Sequence, residues 1–202
     1  MENANLSDVE RESISTQIES RYRKVAQNPR GIFKYPTGRE GMKALGYDPA
    51  TLALLPDEVA ESYCGVGNPF SLGALKPGER ALDIGCGAGV DTLIAALMTA
   101  PDGFTAGVDV TRAMIERARH NATLMRVSID FQVCGAESLP YKDNWFDLVI
   151  SNGALNLVAG KASAAREMFR VLRPGGGLQV ADQILINETP REMAVMVKNW
   201  GH

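Results

Sequence analysis

Cysteine is scarce in this chain: Cys64, Cys86 and Cys134 are an odd number with no CxxC spacing. That excludes a disulfide framework or a zinc knuckle and suits a reducing cytoplasm. A large charge excess is also missing, since 21 Lys and Arg stand against 24 Asp and Glu for a formal net charge of -3. The basic residues are scattered rather than massed, so nothing draws the chain onto phosphate backbones and no nucleic-acid partner is expected. No apolar run approaches the roughly 20 residues that span a bilayer. The start, MENANLSDVERE, has neither a basic lead nor an apolar h-region. Membrane insertion and secretion are therefore not expected, and the cytoplasm is the expected location. No internal repeat or low-complexity tract is present. No His or Glu constellation for acid–base catalysis emerges either, and His120 falls on the polar side of its helix, where solvent rather than chemistry accounts for it.

What the chain does have is enough apolar material for a core. With 202 residues, 45% hydrophobic and 22% charged, it fits one globular domain with an extension. Ser7 and Glu10 form a capping-box pattern, and Val9, Ile14, Ile18 and Tyr22 follow at helical spacing to about Ala26. From Asn28 to Pro77 Gly and Pro are dense, with short helical pieces expected at Asp48-Pro49, Pro56-Asp57 and Asn68-Pro69. Residues 1–77 are expected to form an N-terminal helical cap or lid, and 78–202 the core.

From Arg80 onward short apolar runs alternate with helical stretches, the signature of βαβ units and a parallel sheet. Strands are expected at 80–84, 104–109, 129–133, 146–150 and 176–185, and helices at 90–99, 111–126 and 160–172. The crossover Ser138–Asn144 is too short and polar for a helix. Pro174-Gly175-Gly176-Gly177 reads as a strong helix stop. After the fifth strand one helix fits, Glu188 to Asn199, and strands six and seven are expected to be missing, which would leave a sheet edge unpaired and open to a homodimer.

Ala81-Leu82-Asp83-Ile84-Gly85-Cys86-Gly87-Ala88-Gly89 is an apolar strand running into a glycine turn that opens a helix at Val90. Glycines let the backbone approach a ligand, and the helix start presents amides to it. A dinucleotide site uses GxGxxG to hold a pyrophosphate, whereas this turn is GxGxG with Asp83 two residues before it. A carboxylate there repels a pyrophosphate and suits a cationic aminoacyl group. Asp109, 24 residues after Gly85, ends the next strand, where an acid grips ribose hydroxyls. Together the two acids select a nucleoside without phosphates, and an NAD-dependent oxidoreductase is disfavoured.

On these residues the chain resembles the class I S-adenosylmethionine-dependent methyltransferases over about residues 76–186. Leu82–Gly89 looks like the family's first motif, Gly107-Val108-Asp109 its second, Phe146–Asn152 its fourth, and Leu172–Gly176 the lead-in to its fifth strand. The resemblance implies an α/β, Rossmann-like parallel sheet of order 3-2-1-4-5, S-adenosylmethionine across the carboxyl ends of the strands, and methyl transfer by in-line displacement. The implied cofactor set is Asp83, Gly85, Cys86, Gly87, Gly89, Asp109, Val110, Met114, Ala136, Glu137 and Asn152.

Asp147–Asn152 followed by Leu155-Asn156-Leu157, with Tyr63–Pro69 ahead of the core, resembles the arsenite methyltransferases more narrowly. That group binds trivalent arsenic through cysteines, soft thiolates suiting a soft metalloid. Three departures stand out. Gly153 occupies a position where the group has a cysteine, a further cysteine that the group places beyond Trp200 is not in the sequence, so that Cys64 alone is left and arsenite itself is not expected as the acceptor, and Gly135 stands where relatives often carry an acid for the adenine amine. Cys64 and Asn156 are the candidate contacts to a small-molecule methyl acceptor. Two functions fit these residues: a methyltransferase acting on a soft or small polar nucleophile, and a cofactor-binding module that lacks independent catalysis and needs a partner chain or a missing C-terminal segment.

Overall fold

The computed structural model describes residues 7–184. The first helix, α1 (Asp8–Gln27), opens with the expected capping box: the Ser7 hydroxyl accepts the Glu10 amide at 3.3 Å, and the Glu10 carboxylate accepts the Ser7 amide at 2.8 Å. Its buried stripe is Ile14 and Val25, whereas Val9 is 76% exposed and stands outside the stripe its spacing suggested. Three short helices follow: α2 (Gly38–Ala44), α3 (Pro49–Leu54, capped by Asp48) and α4 (Asp57–Ala60). A 3-10 turn at Pro69–Leu72, capped by Asn68, leads to the sheet.

Strands β1 (Arg80–Ile84), β2 (Phe104–Asp109), β3 (Asp130–Val133), β4 (Phe146–Asn152) and β5 (Leu172–Ala181) form one all-parallel sheet in the order β3-β2-β1-β4-β5. Helices α5 (Val90–Thr99), α6 (Arg112–Met125) and α7 (Lys161–Val171) make the crossovers. The fold expected from the resemblance is thus the fold observed. Both faces of the sheet are covered, so β1 reads as a nearly continuous buried run rather than an alternating one. Leu82, Ile84, Val108, Phe146 and Val149 pack with Met168 and Val171 of α7 on one side. On the other, α5 and α6 share a cluster with Met42, Tyr47, Val59 and Tyr63 from the N-terminal segment.

The crossover 138–144 contains no helix, as expected, and is held instead by a side chain of α7. Arg170 donates to the backbone carbonyls of Leu139 at 3.0 Å and Tyr141 at 2.7 Å, and pairs with Asp143 and Glu167. One correction concerns β5. It was expected at 176–185, yet it begins at Leu172 directly after α7 and ends at Ala181. Pro174 and Gly175 do not stop the chain but lie in a bulge between the Phe146–Leu172 and Leu148–Gly177 pairs, where a residue without an N–H is tolerated. Arg173 closes the bulge by an ion pair with Asp147. The helix expected over 188–199 lies outside the described residues.

Candidate functional site

The carboxyl ends of β1, β2 and β4 are tied together by the glycine turn. The Val108 carbonyl accepts the amides of both Gly85 (2.8 Å) and Cys86 (3.0 Å), and the Ser151 hydroxyl donates to the Ile84 carbonyl at 2.9 Å. Gly85 has φ +69°, and a Cβ on it would lie 2.1 Å from the Ala154 Cβ, so this corner accepts only glycine. Asp109 caps the arrangement: its carboxylate accepts the Gly87 amide at 3.0 Å and the Thr111 amide at 2.8 Å.

Above the turn lies a cavity of about 320 Å³. Its floor is Asp83 to Ala88 with Asp109 and Val110, one side is Cys134, Ala136 and Glu137, and another is Cys64, Gly65 and the stretch Asn152–Ala154 with Leu157–Ala159. The face of α1 that carries Arg11, Ile14, Ser15, Ile18 and Tyr22 forms a further wall. Of the residues singled out in the sequence, Asp83, Gly85, Cys86, Gly87, Asp109, Val110, Ala136, Glu137, Asn152 and Cys64 are brought to this cavity. Gly89, Met114 and Asn156 do not line it. Gly89 caps α5 in a left-handed conformation against Ala118 and Phe131. Met114 is fully buried beside Val25 and Ala88. The Asn156 backbone N–H donates to the Asp182 carboxylate at 2.9 Å.

The floor is electrostatically unusual because two acids are buried there beside a third that is half-buried. Burial, reinforced by the charge of Asp91, pushes the Asp83 carboxyl well above the usual carboxylate range, although the Thr92 hydroxyl donates to it at 2.6 Å. Burial likewise raises Asp91, against hydrogen bonds from Tyr47 and Asn152, and raises Asp109, against those from Thr111 and Gly87. Burial also pushes the Cys64 thiol up to about 12, with the Asp109 and Asp91 charges adding to the effect. Cys64 is therefore a neutral thiol at physiological pH, as is Cys134, raised to about 11 chiefly by burial. A cation seated on this floor relieves the mutual repulsion of the acids; a phosphate aggravates it.

Sequence reasoning missed Asp91, and with it a buried polar cluster. The Tyr47 hydroxyl donates to Asp91 at 2.6 Å, and the Asn152 amide nitrogen donates to the other Asp91 oxygen at 2.9 Å. The one signal in the sequence is an acid in the first turn of the otherwise uncharged helix Val90–Thr99.

A glycine turn without a phosphate site, an acid at the end of β1 and another at the end of β2 define a class: α/β domains that bind a nucleoside cofactor bearing positive charge. The chain belongs to the class I S-adenosylmethionine-dependent methyltransferases, the family described as a methyltransferase domain matching residues 75–201. It is 38% identical to an arsenite methyltransferase of Halobacterium salinarum over 73% of this chain and 38% of that protein. It is 36% identical to a demethylmenaquinone methyltransferase of Symbiobacterium thermophilum over 59% of this chain and 54% of that one. Among solved structures, an arsenic(III) S-adenosylmethionine methyltransferase from Chlamydomonas reinhardtii superposes with a TM-score of 0.62 at 36% identity, covering 68% of this chain and 50% of that one. A 4+2 cyclase superposes with a TM-score of 0.58 at 27% identity, covering 82% of this chain and 59% of its own. The chain thus spans about 40 to 55% of the length of these two curated relatives. S-adenosylmethionine is the cofactor the family implies, and the buried acids and phosphate-free turn fit its charge. Among the described residues no helix is long and apolar enough to cross a membrane, and no group of three metal-binding side chains is present.

Proposed function

We propose that this chain transfers a methyl group from S-adenosylmethionine to a small soft or polar nucleophile. The observation that carries the reading is the cavity whose floor combines the Gly85–Gly87 backbone with the buried carboxylate of Asp83 and the half-buried carboxylate of Asp109. In it Asp83 orients the cationic aminoacyl group and Asp109 the ribose hydroxyls, while Val110, Ala136 and Glu137 line the adenine end and Cys86 fills the turn. Bound there, S-adenosylmethionine supplies an already activated methyl on a sulfonium. The chain's own part is to align the nucleophile and keep water out, and for an acceptor that arrives deprotonated, such as a thiolate, no general base is required. Cys64 and the stretch after β4 form the acceptor side, and residues 1–77 act as a cap whose α1 closes the cavity.

Arsenite is a poor acceptor on this reading, because Gly153 supplies no thiol and the Cys64 thiol is held neutral. The three free cysteines agree with work in a reducing cytoplasm. A transfer assay with methyl-labelled cofactor, offering small thiols, amines and trivalent arsenicals, tests the proposal. Label on a thiol or amine that is lost in Asp109→Ala supports it; label on none of them contradicts it.

A second reading, a cofactor-binding module without independent turnover that pairs with another chain, draws on one observation: β5, the outer strand of the sheet among the described residues, exposes Leu178 (48%) and Val180 (36%). Cofactor binding without transfer, together with a homodimer in solution, is what this reading expects.

A further inference from the structure

The residue that ends β4 was expected to touch the cofactor, but its hydrogen bonds point elsewhere. Asn152 Oδ1 accepts two amides of the N-terminal segment, Val66 at 2.9 Å and Gly67 at 3.0 Å. Its Nδ2 donates to the Gly67 carbonyl at 2.8 Å and to Asp91 at 2.9 Å. An amide has two N–H donors and one oxygen with two lone pairs. All four are used within the protein, which leaves the side chain nothing to offer a ligand.

The partners are fixed in turn. The Tyr63 hydroxyl donates to the same Gly67 carbonyl at 2.8 Å, and the Tyr47 hydroxyl donates to Asp91 at 2.6 Å. A Cβ added to Gly65 would lie 2.3 Å from Asn152 Nδ2, so the backbone of residues 63–67 rests directly on the amide. That segment carries Cys64 and Gly65 into the cavity wall.

We infer that Asn152 is a positioning residue, which clasps residues 63–67 to the end of β4 and so sets the acceptor-side wall of the cavity, with Asp91 holding its amide in register. The assignment of that wall to the acceptor rests on the function proposed above; the clasp itself does not. Asp91 thereby serves the acceptor wall through Asn152, and the cofactor is held by the separate pair Asp83 and Asp109. An asparagine at position 91 keeps the clasp, because its Oδ1 can still accept from Asn152 while its amide donates to the Tyr47 hydroxyl, whose proton then goes to the Tyr63 hydroxyl oxygen 3.1 Å away.

The test is amide hydrogen exchange across residues 63–67 and across β1, with a calorimetric titration of S-adenosylhomocysteine on the same proteins. Asn152→Ala and Asp91→Ala should each lower protection over 63–67 by about tenfold or more with β1 unchanged, because the opening is local. Asp91→Asn should keep protection near that of the natural chain, and Tyr63→Phe, the mildest change, should give a smaller loss confined to the same segment. S-adenosylhomocysteine affinity in Asn152→Ala should stay within about threefold of the natural chain, a difference well under the 1.4 kcal/mol that corresponds to tenfold. Unchanged protection, loss spread equally over β1, failure of Asp91→Asn to restore protection, or a larger drop in affinity overturns the inference. If the natural chain does not bind the adenosyl ligand at all, the reading of the cavity fails, and the exchange pattern alone decides the clasp.

Discussion

The Asp109 carboxylate accepts the Gly87 amide at 3.0 Å, which makes the acid at the end of β2 and the glycine turn after β1 one structural unit. A change at either residue therefore acts on the cofactor floor through the other.

Gly85→Ala tests the turn. The added Cβ would meet Ala154 at 2.1 Å in a backbone at φ +69°, so either the turn or the Ala154 loop must move. A residue forced into such a conformation costs on the order of 1–3 kcal/mol. Urea unfolding should show a loss of that size together with loss of adenosyl-ligand binding. Unchanged stability and binding would mean that the turn does not take the described form in solution.

The floor acids give the unliganded protein an inverted pH dependence. Asp83 and Asp91 hold their protons to higher pH when folded than the ordinary carboxylate value of about 4. Between that value and the raised ones the folded chain binds more protons than the unfolded chain, so stability falls as pH rises through this window. Glu167, pulled down to about 2 by its Arg170 partner, works in the opposite sense but only at lower pH. Thermal unfolding should therefore give a lower midpoint at pH 7.5 than at pH 5.5, with S-adenosylmethionine narrowing the gap; a higher midpoint at pH 7.5 contradicts the buried arrangement of the acids.

Arg170→Lys tests the support of the helix-free crossover. One ammonium cannot reach the Leu139 and Tyr141 carbonyls, Asp143 and Glu167 in the way the guanidinium fork does. The loss of charge-assisted bonds should cost about 1.5–3 kcal/mol in urea unfolding. A loss under about 0.5 kcal/mol, the range of ordinary surface changes, would show that the crossover holds its place without Arg170.

Gly153→Cys does not restore an arsenic site. The position has φ +72°, and a Cβ there would lie 3.3 Å from both Val66 methyls. The variant should lose about 1–3 kcal/mol of stability and bind phenylarsine oxide no more tightly than the natural chain, as read by calorimetry. Tenfold tighter binding would show that Cys64 and a thiol at 153 can share a ligand.

The core of the fold was legible because its signals are local. The β1 run, the GxGxG turn and Asp109 each announce themselves within a few residues, and the short helices at Pro49, Asp57 and Pro69 follow from a proline at or just before their first residue. The start of β5 was misread because Pro174-Gly175 acts as a helix stop locally, and only pairing with β4 turns it into a bulge. Asp91 was missed for a similar reason. Its partners Tyr47 and Asn152 lie 44 and 61 residues away in sequence, and nothing short-range ties the three together. Asn152 was picked out by its position at a strand end, which is visible in the sequence, while its hydrogen bonds to the segment 63–67 are not.

Calorimetric titration decides whether Asp83, the Gly85–Gly87 turn and Asp109 form a floor for S-adenosylmethionine. S-adenosylmethionine and S-adenosylhomocysteine should both bind the natural chain, NAD should not compete, and Asp109→Ala should weaken both ligands by about tenfold or more, some 1.4 kcal/mol. Absence of binding to the natural chain, or equal binding by Asp109→Ala, would contradict such a floor.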